Sequence, residues 1–473
     1  MMLRALLALA TLALSPLALA DEPSNENKDL ELIPSTAPVP PSSSAELASP
    51  AGVTRKLYLE NAFTQSWTQS GLLVPFPPPQ PSIWEERLLL DVRDEWPLGQ
   101  DIRVAYSGRL NLRAEDRLDF PSHENAINDL REAYFAWEPT ASFFADVGRI
   151  NLKSGVALGF NPTDFFKTRA VVEPLSVDPV VLREDRLGTL LLRAQRIWPR
   201  GSLTVAYAPA VASASPIYTD FDLPSLDPMF DRTNAKDRFL VKGSVDIAAE
   251  FSPEILAYHE DGVTRWGLNL TQPIGQKMVL YAEWSGGPRT SLIDDALRFG
   301  RATGTLPPNA PSPLPEDEHQ QFRSELAAGA SYALAESKIT LNLELNYSQA
   351  GFSRTDWLNW FRVGSGATSQ SPIAAELWYI RDYALDQQEQ VSRSYVFLRG
   401  DWVDAFVPRL ELTGFVSSDL ADGSARIQLT ADYYLTDRWT IGGLVLANFG
   451  AHRSDFGSLP QAGSVLLKIV RYF

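Results

Sequence analysis

Few residues in this chain have the type and spacing needed for covalent chemistry. A hydrolytic centre needs an imidazole beside a hydroxyl or a carboxylate, and the histidines are His123, His259, His319 and His452. All four fall in or near predicted loops, and His259-Glu260-Asp261 is the strongest candidate among them. Neighbours on a strand point to opposite faces, so His259 and Glu260 would not meet directly. The chain has no cysteine, which excludes disulfides and thiolate metal centres, and no cofactor is expected. The commoner chemistry is ionic. Arg103, Arg109 and Arg113 share one parity, as do Arg87, Asp91, Arg93 and Glu95, with Arg193 and the Lys242–Asp246 pair further on. Guanidinium groups hold carboxylate or phosphate bidentately, so such rows can form a track for an anionic solute. The same rows can equally pair with acidic neighbours and brace a sheet.

The elements carrying these rows have period two. Ile102, Val104, Tyr106, Gly108, Leu110 and Leu112 alternate with Arg103, Ala105, Ser107, Arg109, Asn111 and Arg113. The same pattern recurs over Ile339–Ser348 and Ala425–Leu435. These runs reach about ten residues or more, the span a tilted membrane strand needs, whereas soluble strands average about five or six. About eighteen such runs are predicted, starting near Leu57, Trp84, Asp101, Ile127, Ser142, Asp185, Leu203, Arg238, Ile255, Thr264, Lys277, Gln321, Lys338, Val391, Arg409, Ser424, Trp439 and Gln461. The predicted fold class is all-β: a transmembrane antiparallel up-and-down β-barrel of about 18 strands, range 16–18.

Connection lengths support a membrane barrel over a soluble sandwich. Every other connection is a tight turn with Pro, Gly or Asp, as at Pro97–Gln100, Pro199–Gly201, Pro273–Gln276 and Thr436–Arg438. Those between are mostly long, notably Lys153–Glu184, Ala212–Asp237, Ser285–His319 and Ala350–Gln390. Short turns on a periplasmic rim and long loops on an extracellular rim are the layout expected of an outer-membrane barrel. Trp84, Trp96, Trp137, Trp198, Trp266, Trp284, Trp402 and Trp439 lie near strand ends, where amphipathic rings suit the headgroup layer.

The termini carry export and assembly signals. Residues 1–20 read as a signal peptide, with a basic start, an apolar stretch from Ala5 to Leu14, and Ala18-Leu19-Ala20 as the cleavage site. Residues 21–55, rich in Pro, Ser and Glu, read as a disordered periplasmic leader before a barrel over 56–473. The last strand ends on Tyr472-Phe473, a terminal aromatic resembling the signal that barrel-assembly machinery reads. A net charge of −16 argues against a nucleic-acid partner. Outer-membrane lipid and lipopolysaccharide are the expected surroundings.

Segment 153–184 is too apolar for a solvated loop, and folding into the lumen as a constriction would explain it. Packing on neighbouring loops above the pore would explain it as well. Its candidate constriction residues are Phe160, Asp164, Phe165, Lys167 and Arg169, and Pro162-Thr163-Asp164 could start a short helix. Leu130-Arg131-Glu132-Ala133-Tyr134-Phe135-Ala136-Trp137, a short turn, Val147-Gly148-Arg149 and the Gly-rich loop together resemble the alginate-export type of outer-membrane porin. That resemblance implies an 18-stranded barrel with an arginine-lined pore that Arg149 approaches. The chain departs from that pattern at Ile150, where the family often has Gln.

The expected function is a channel, not an enzyme. It would pass or export a small polar or anionic solute or polysaccharide, such as an acidic saccharide. The alternatives are a platform for assembly or adhesion through the extracellular loops and, less favoured, an outer-membrane hydrolase.

Overall fold

The computed structural model describes residues 55–473, except 117–125, 173, 218–226, 249, 309–311 and 316–318. The predicted signal peptide, the leader up to residue 54, and His123 lie outside the described residues. Strands form where the sequence alternates. β1 (Lys56–Thr68), β2 (Trp84–Pro97), β3 (Ile102–Glu115), β4 (Ala126–Thr140), β5 (Phe143–Ile150) and β6 (Thr189–Trp198) begin one sheet. β7 (Gly201–Ala208), β8 (Arg238–Val245), β9 (Glu254–Glu260), β10 (Val263–Ile274), β11 (Met278–Arg289) and β12 (Gln321–Leu334) continue it. β13 (Ile339–Ser348), β14 (Ser394–Trp402), β15 (Leu410–Asp419), β16 (Ala425–Thr436), β17 (Trp439–Phe449) and β18 (Gln461–Tyr472) complete it. Each strand pairs antiparallel with its chain neighbours. β18 pairs with β1 from Tyr58↔Tyr472 to Thr68↔Gln461, so the 18-stranded sheet closes and no edge is left open.

The two faces of the wall invert the soluble pattern. Tyr106, Leu110 and Leu112 of β3, and Leu341, Leu343 and Leu345 of β13, point outward and are exposed. Ser107 and Asn111, and Asn342, Glu344 and Asn346, point inward and are buried. An apolar surface running right round the barrel is a lipid-facing belt. Exposed Trp96, Trp137, Trp198 and Trp439 ring the short-turn rim, while Trp67 and Trp266 lie toward the other. No helix among the described residues is long and apolar enough to cross a membrane.

Several expectations change. Two connections on the long-loop rim are short. Asp261-Gly262 joins β9 to β10 with both residues at positive φ, 53° and 77°, a turn whose twist matches a hairpin. Leu420 to Ser424 joins β15 to β16. β6 begins at Thr189 instead of near Asp185, because Pro179–Asp185 forms helix α1. Pro179 starts it, and the Asp178 carboxylate accepts from the Val180 amide at 3.0 Å. No helix starts at Pro162-Thr163-Asp164, which runs as successive turns. β14 begins at Ser394 instead of Val391, since Ser392 bridges to Phe352.

The long loops also hold helices that connection length does not announce: α2 (Phe230–Thr233), α3 (Leu292–Thr303), α4 (Arg354–Gly364) and α5 (Pro372–Asp386). Ser291, Ser353 and Ser371 cap the last three, with a full capping box at Ser353 and Asp356. Their apolar faces meet in a second core, built on Trp357, Trp360, Phe361, Leu377 and Trp378. Loop residue Phe76 packs edge-on against Trp378 at 4.9 Å. This core lies in the long-loop connections, outside the barrel wall, and forms a helical cap.

Candidate functional site: the lumen and its inward loop

The inward-facing arginines are almost all engaged. Arg103 pairs with Glu95 at 3.0 Å and with Glu138 at 2.8 Å. Arg87 holds Glu85 at 2.6 Å, Arg113 lies 3.6 Å from Glu85 and 3.5 Å from Glu115, and Arg193 holds Asp146 at 2.7 Å. Arg109 and Arg131 share the two carboxylates of Asp91 and Asp185. Arg93 is exposed at the short-turn rim, in register with Lys56. The wall is therefore a lattice of ion pairs, not an uninterrupted basic track.

Arg149 is 2% exposed and stands under the loops instead of on the open wall. It donates to the carbonyls of Gly188, at 2.9 Å, and of Pro228, and its guanidinium lies 5.3 Å from the Phe230 ring. The cause is Gly148. Its φ is +138°, and a Cβ there would sit 2.3 Å from the Ala133 carbonyl oxygen. Val147 outside is followed by a glycine that lets β5 bend against β4, and Arg149 is carried inward.

The described residues of 151–188 make a circuit of the lumen. The first leg crosses to β11 and β13, where two wall carboxylates take its backbone. Glu344 accepts from the amides of Leu158 at 2.8 Å, Gly159 at 3.1 Å and Phe160 at 3.0 Å, and from the Tyr281 hydroxyl at 3.2 Å. Glu283 accepts from the amides of Val156 and Ala157, from Asn161 Nδ2 at 3.2 Å and from Thr163 Oγ1 at 3.1 Å. Gly155, at φ +92°, lies so close to Glu283 that a Cβ would reach within 2.4 Å of its carboxylate.

Phe165 and Phe166 then fill the lumen between Leu191, Ala206, Leu240 and Leu256, with Phe165 stacked on Tyr258 at 4.5 Å. Phe160 is buried beside Lys167, whose Nζ lies 4.3 Å from its ring and donates to the Asn161 carbonyl at 3.0 Å. Asp164 is held by Arg186 at 2.8 and 3.2 Å. Arg169 leaves the wall for the cap: with Arg232 it grips Asp386 at the end of α5, at 3.0 and 2.7 Å. Burial pulls its guanidinium below the ordinary value, against the raising effect of Asp386.

The second leg returns along β14 to β18. The Val177 amide donates to Gln428 Oε1 at 3.1 Å, Asp178 pairs with Arg399 at 3.2 Å, and Leu175 packs near Leu444 and Leu466. Between this leg and the wall lies a cavity of about 210 Å³. Its charged lining is Arg109, Arg399 and Lys468 against Glu60, Asp178, Asp185 and Asp432. Tyr58, Gln428 and Thr430 add neutral polar groups, and Val171, Val172 and Leu175 give it an apolar side.

Sequence reasoning missed Glu283, Glu344, Glu60, Asp178 and Arg399. Their one signal is inward parity on a strand, or in Asp178 a cap before Pro179, and that signal does not separate a clasp from a brace. The hydrolytic candidates stay apart. His259 Nδ1 lies 2.9 Å from the Thr264 hydroxyl on the exposed side, while Glu260 turns toward Arg238 and Lys236. Among the described residues no cluster of three or more His, Asp or Glu could hold a metal. At the chain end, Tyr472 packs against Tyr58 at 5.6 Å, and the Phe473 amide donates to the Leu57 carbonyl at 3.0 Å.

No protein-family profile and no curated protein matches the sequence. Among solved structures, Pseudomonas aeruginosa OccK5 (OpdH) is 8% identical, covering 89% of this chain and 97% of its own, with a TM-score of 0.49. Pseudomonas aeruginosa OccK11 (OpdR) is 12% identical over 89% and 95%, with a TM-score of 0.48. A triple mutant of Rhodopseudomonas blastica porin is 10% identical over 89% and 100%, with a TM-score of 0.38. On its own strands and their pairing, the chain is a closed 18-stranded antiparallel β-barrel with an apolar outer belt.

Proposed function

We propose that the chain is a passive outer-membrane channel for small polar solutes, with 151–188 as its constriction. The observation carrying this reading is the loop's circuit, which crosses the lumen and leaves a cavity of about 210 Å³ along β1, β3 and β14–β18. That volume lies under the roughly 300–1,000 Å³ of sites that take drug-sized ligands. An acidic saccharide, the cargo suggested by the alginate-export resemblance, would meet Arg109 and Arg399 there. Both already hold carboxylates, so the arrangement supports a small polar solute better than an anionic polymer. On this reading lipid and lipopolysaccharide surround the belt, and the assembly machinery reads Tyr472 and Phe473.

The helical cap favours a second reading, a barrel that serves as a platform for its loops. The full chain reconstituted in planar bilayers separates the two. Discrete conductance steps that grow when 158–166 are deleted support the channel, and a barrel that folds but never conducts supports the platform.

A further inference from the structure

Glu60 is the carboxylate in the lumen whose position the wall lattice does not explain. It points inward from β1, lines the cavity and is 8% exposed. It makes no hydrogen bond or ion pair of its own with the described residues. Every cation on the lining, by contrast, already holds an acid: Lys468 binds Asp432 at 2.9 Å, Arg109 binds Asp91 and Asp185, and Arg399 binds Asp178. Three cations face four carboxylates, so the lining carries one negative charge in excess, and Glu60 is the one left over. A carboxylate withdrawn from bulk water without a partner is costly, and an arriving cation recovers that cost.

The opposite side of the cavity is apolar, formed by Val171, Val172, Pro174, Leu175 and Val181 of the loop. Resting on the channel reading above, we propose that the cavity is a site for a small organic ammonium ion with an apolar body. Its ammonium donates to Glu60 while its body lies against the loop. An ammonium brings the donors that Glu60 lacks, and charge-assisted bonds of this kind are about twice as strong as neutral ones. An anion of the same size would have to displace a carboxylate from Arg109 or Arg399.

The test uses the full chain in planar bilayers, with phenethylammonium as probe and phenylacetate as its anionic counterpart. In a KCl gradient the reversal potential should show preference for K⁺, and phenethylammonium should block the current where phenylacetate does not. Glu60→Gln should weaken that block at least about tenfold. Glu60→Asp, which keeps the charge, should retain most of it. Stronger block by phenylacetate, or equal block in Glu60→Gln, overturns the proposal. Should Glu60→Gln fail to fold, judged by heat-modifiable mobility, the choice between the two probes in the wild type decides alone. Calorimetry in detergent micelles keeps the two readings separable. A barrel that binds phenethylammonium but never conducts refutes the channel and upholds the site, and one that conducts without binding the probe does the reverse.

Discussion

Removing Glu344 should release the constriction without breaking the wall. The residue faces inward on β13, so the ladders to β12 and β14 do not depend on its side chain. What it holds is the loop: three consecutive amides, from Leu158, Gly159 and Phe160, at 2.8–3.1 Å. Glu344→Ala leaves those donors unpaired, at about 1–3 kcal/mol each where water does not reach them. Lumen water can rehydrate part of the segment, so the low end applies, roughly 3 kcal/mol for the three. Tenfold per 1.4 kcal/mol makes that about a hundredfold rise in the detached population.

Glu283 still holds Val156, Ala157, Asn161 and Thr163, so the single variant should flicker, with noisy openings above the wild-type current. Glu283→Ala with Glu344→Ala should detach the first leg altogether. Single-channel recording gives the conductance, and protease cleavage between residues 152 and 170 reports detachment independently. A double variant that folds by heat-modifiable mobility, yet keeps wild-type conductance and protease resistance, refutes the clasp.

Other perturbations reach different parts of the molecule. Asp386→Ala leaves the buried guanidiniums of Arg169 and Arg232 uncompensated, at about 3–5 kcal/mol, and should make the cap protease-sensitive at a lower temperature. Phe473→Ser, or loss of Tyr472-Phe473, should reduce the folded barrel recovered from membranes while leaving the conductance of inserted molecules unchanged. Glu389, between α5 and β14, is pushed up to about 7 by burial and by the Glu325 carboxylate beside it, against the pull of Arg289. An acid whose folded pKa exceeds its unfolded one is stabilising while protonated, and that contribution is lost as pH rises from about 4.5 toward 7. The cap should therefore resist protease better at pH 5 than at pH 8, and Glu389→Gln should flatten the difference.

The outer face was legible because its rule is local. Lipid demands an apolar residue at every second position, so β3, β13 and β16 could be read from alternation alone, and chain closure followed from strand number and connection length. The cap helices carry local signals too: Ser353-Arg354-Thr355-Asp356 is a capping box and Ser371-Pro372 a helix start, each inside a long connection. Arg149 could not be assigned a face from alternation, because parity cannot be carried through Gly148, whose backbone leaves the extended region. The inner face obeys no local rule. Glu344 meets Leu158 across 186 positions and Arg399 meets Asp178 across 221, and no pattern within one strand announces either.

The composition of the loop follows from that inner face. A run such as Val156-Ala157-Leu158-Gly159-Phe160 offers wall carboxylates no donor side chain, and on side chains alone it would be a poor tenant of a polar lumen. Its backbone supplies the donors instead. Non-helical chain presents an amide at each residue, and two glutamates gather five of them, so the peptide is satisfied while Val156 and Ala157 pack with Tyr281 and Ala327. Small residues are then required where the chain approaches the wall: a Cβ at Gly159 would sit 2.6 Å from Phe397, and one at Gly155 would strike Glu283. The apolar run and its glycines are thus two consequences of one arrangement, in which a loop is pinned by its main chain on one side of the lumen. Along β14 to β18 the returning leg leaves the cavity of about 210 Å³ that Glu60 lines.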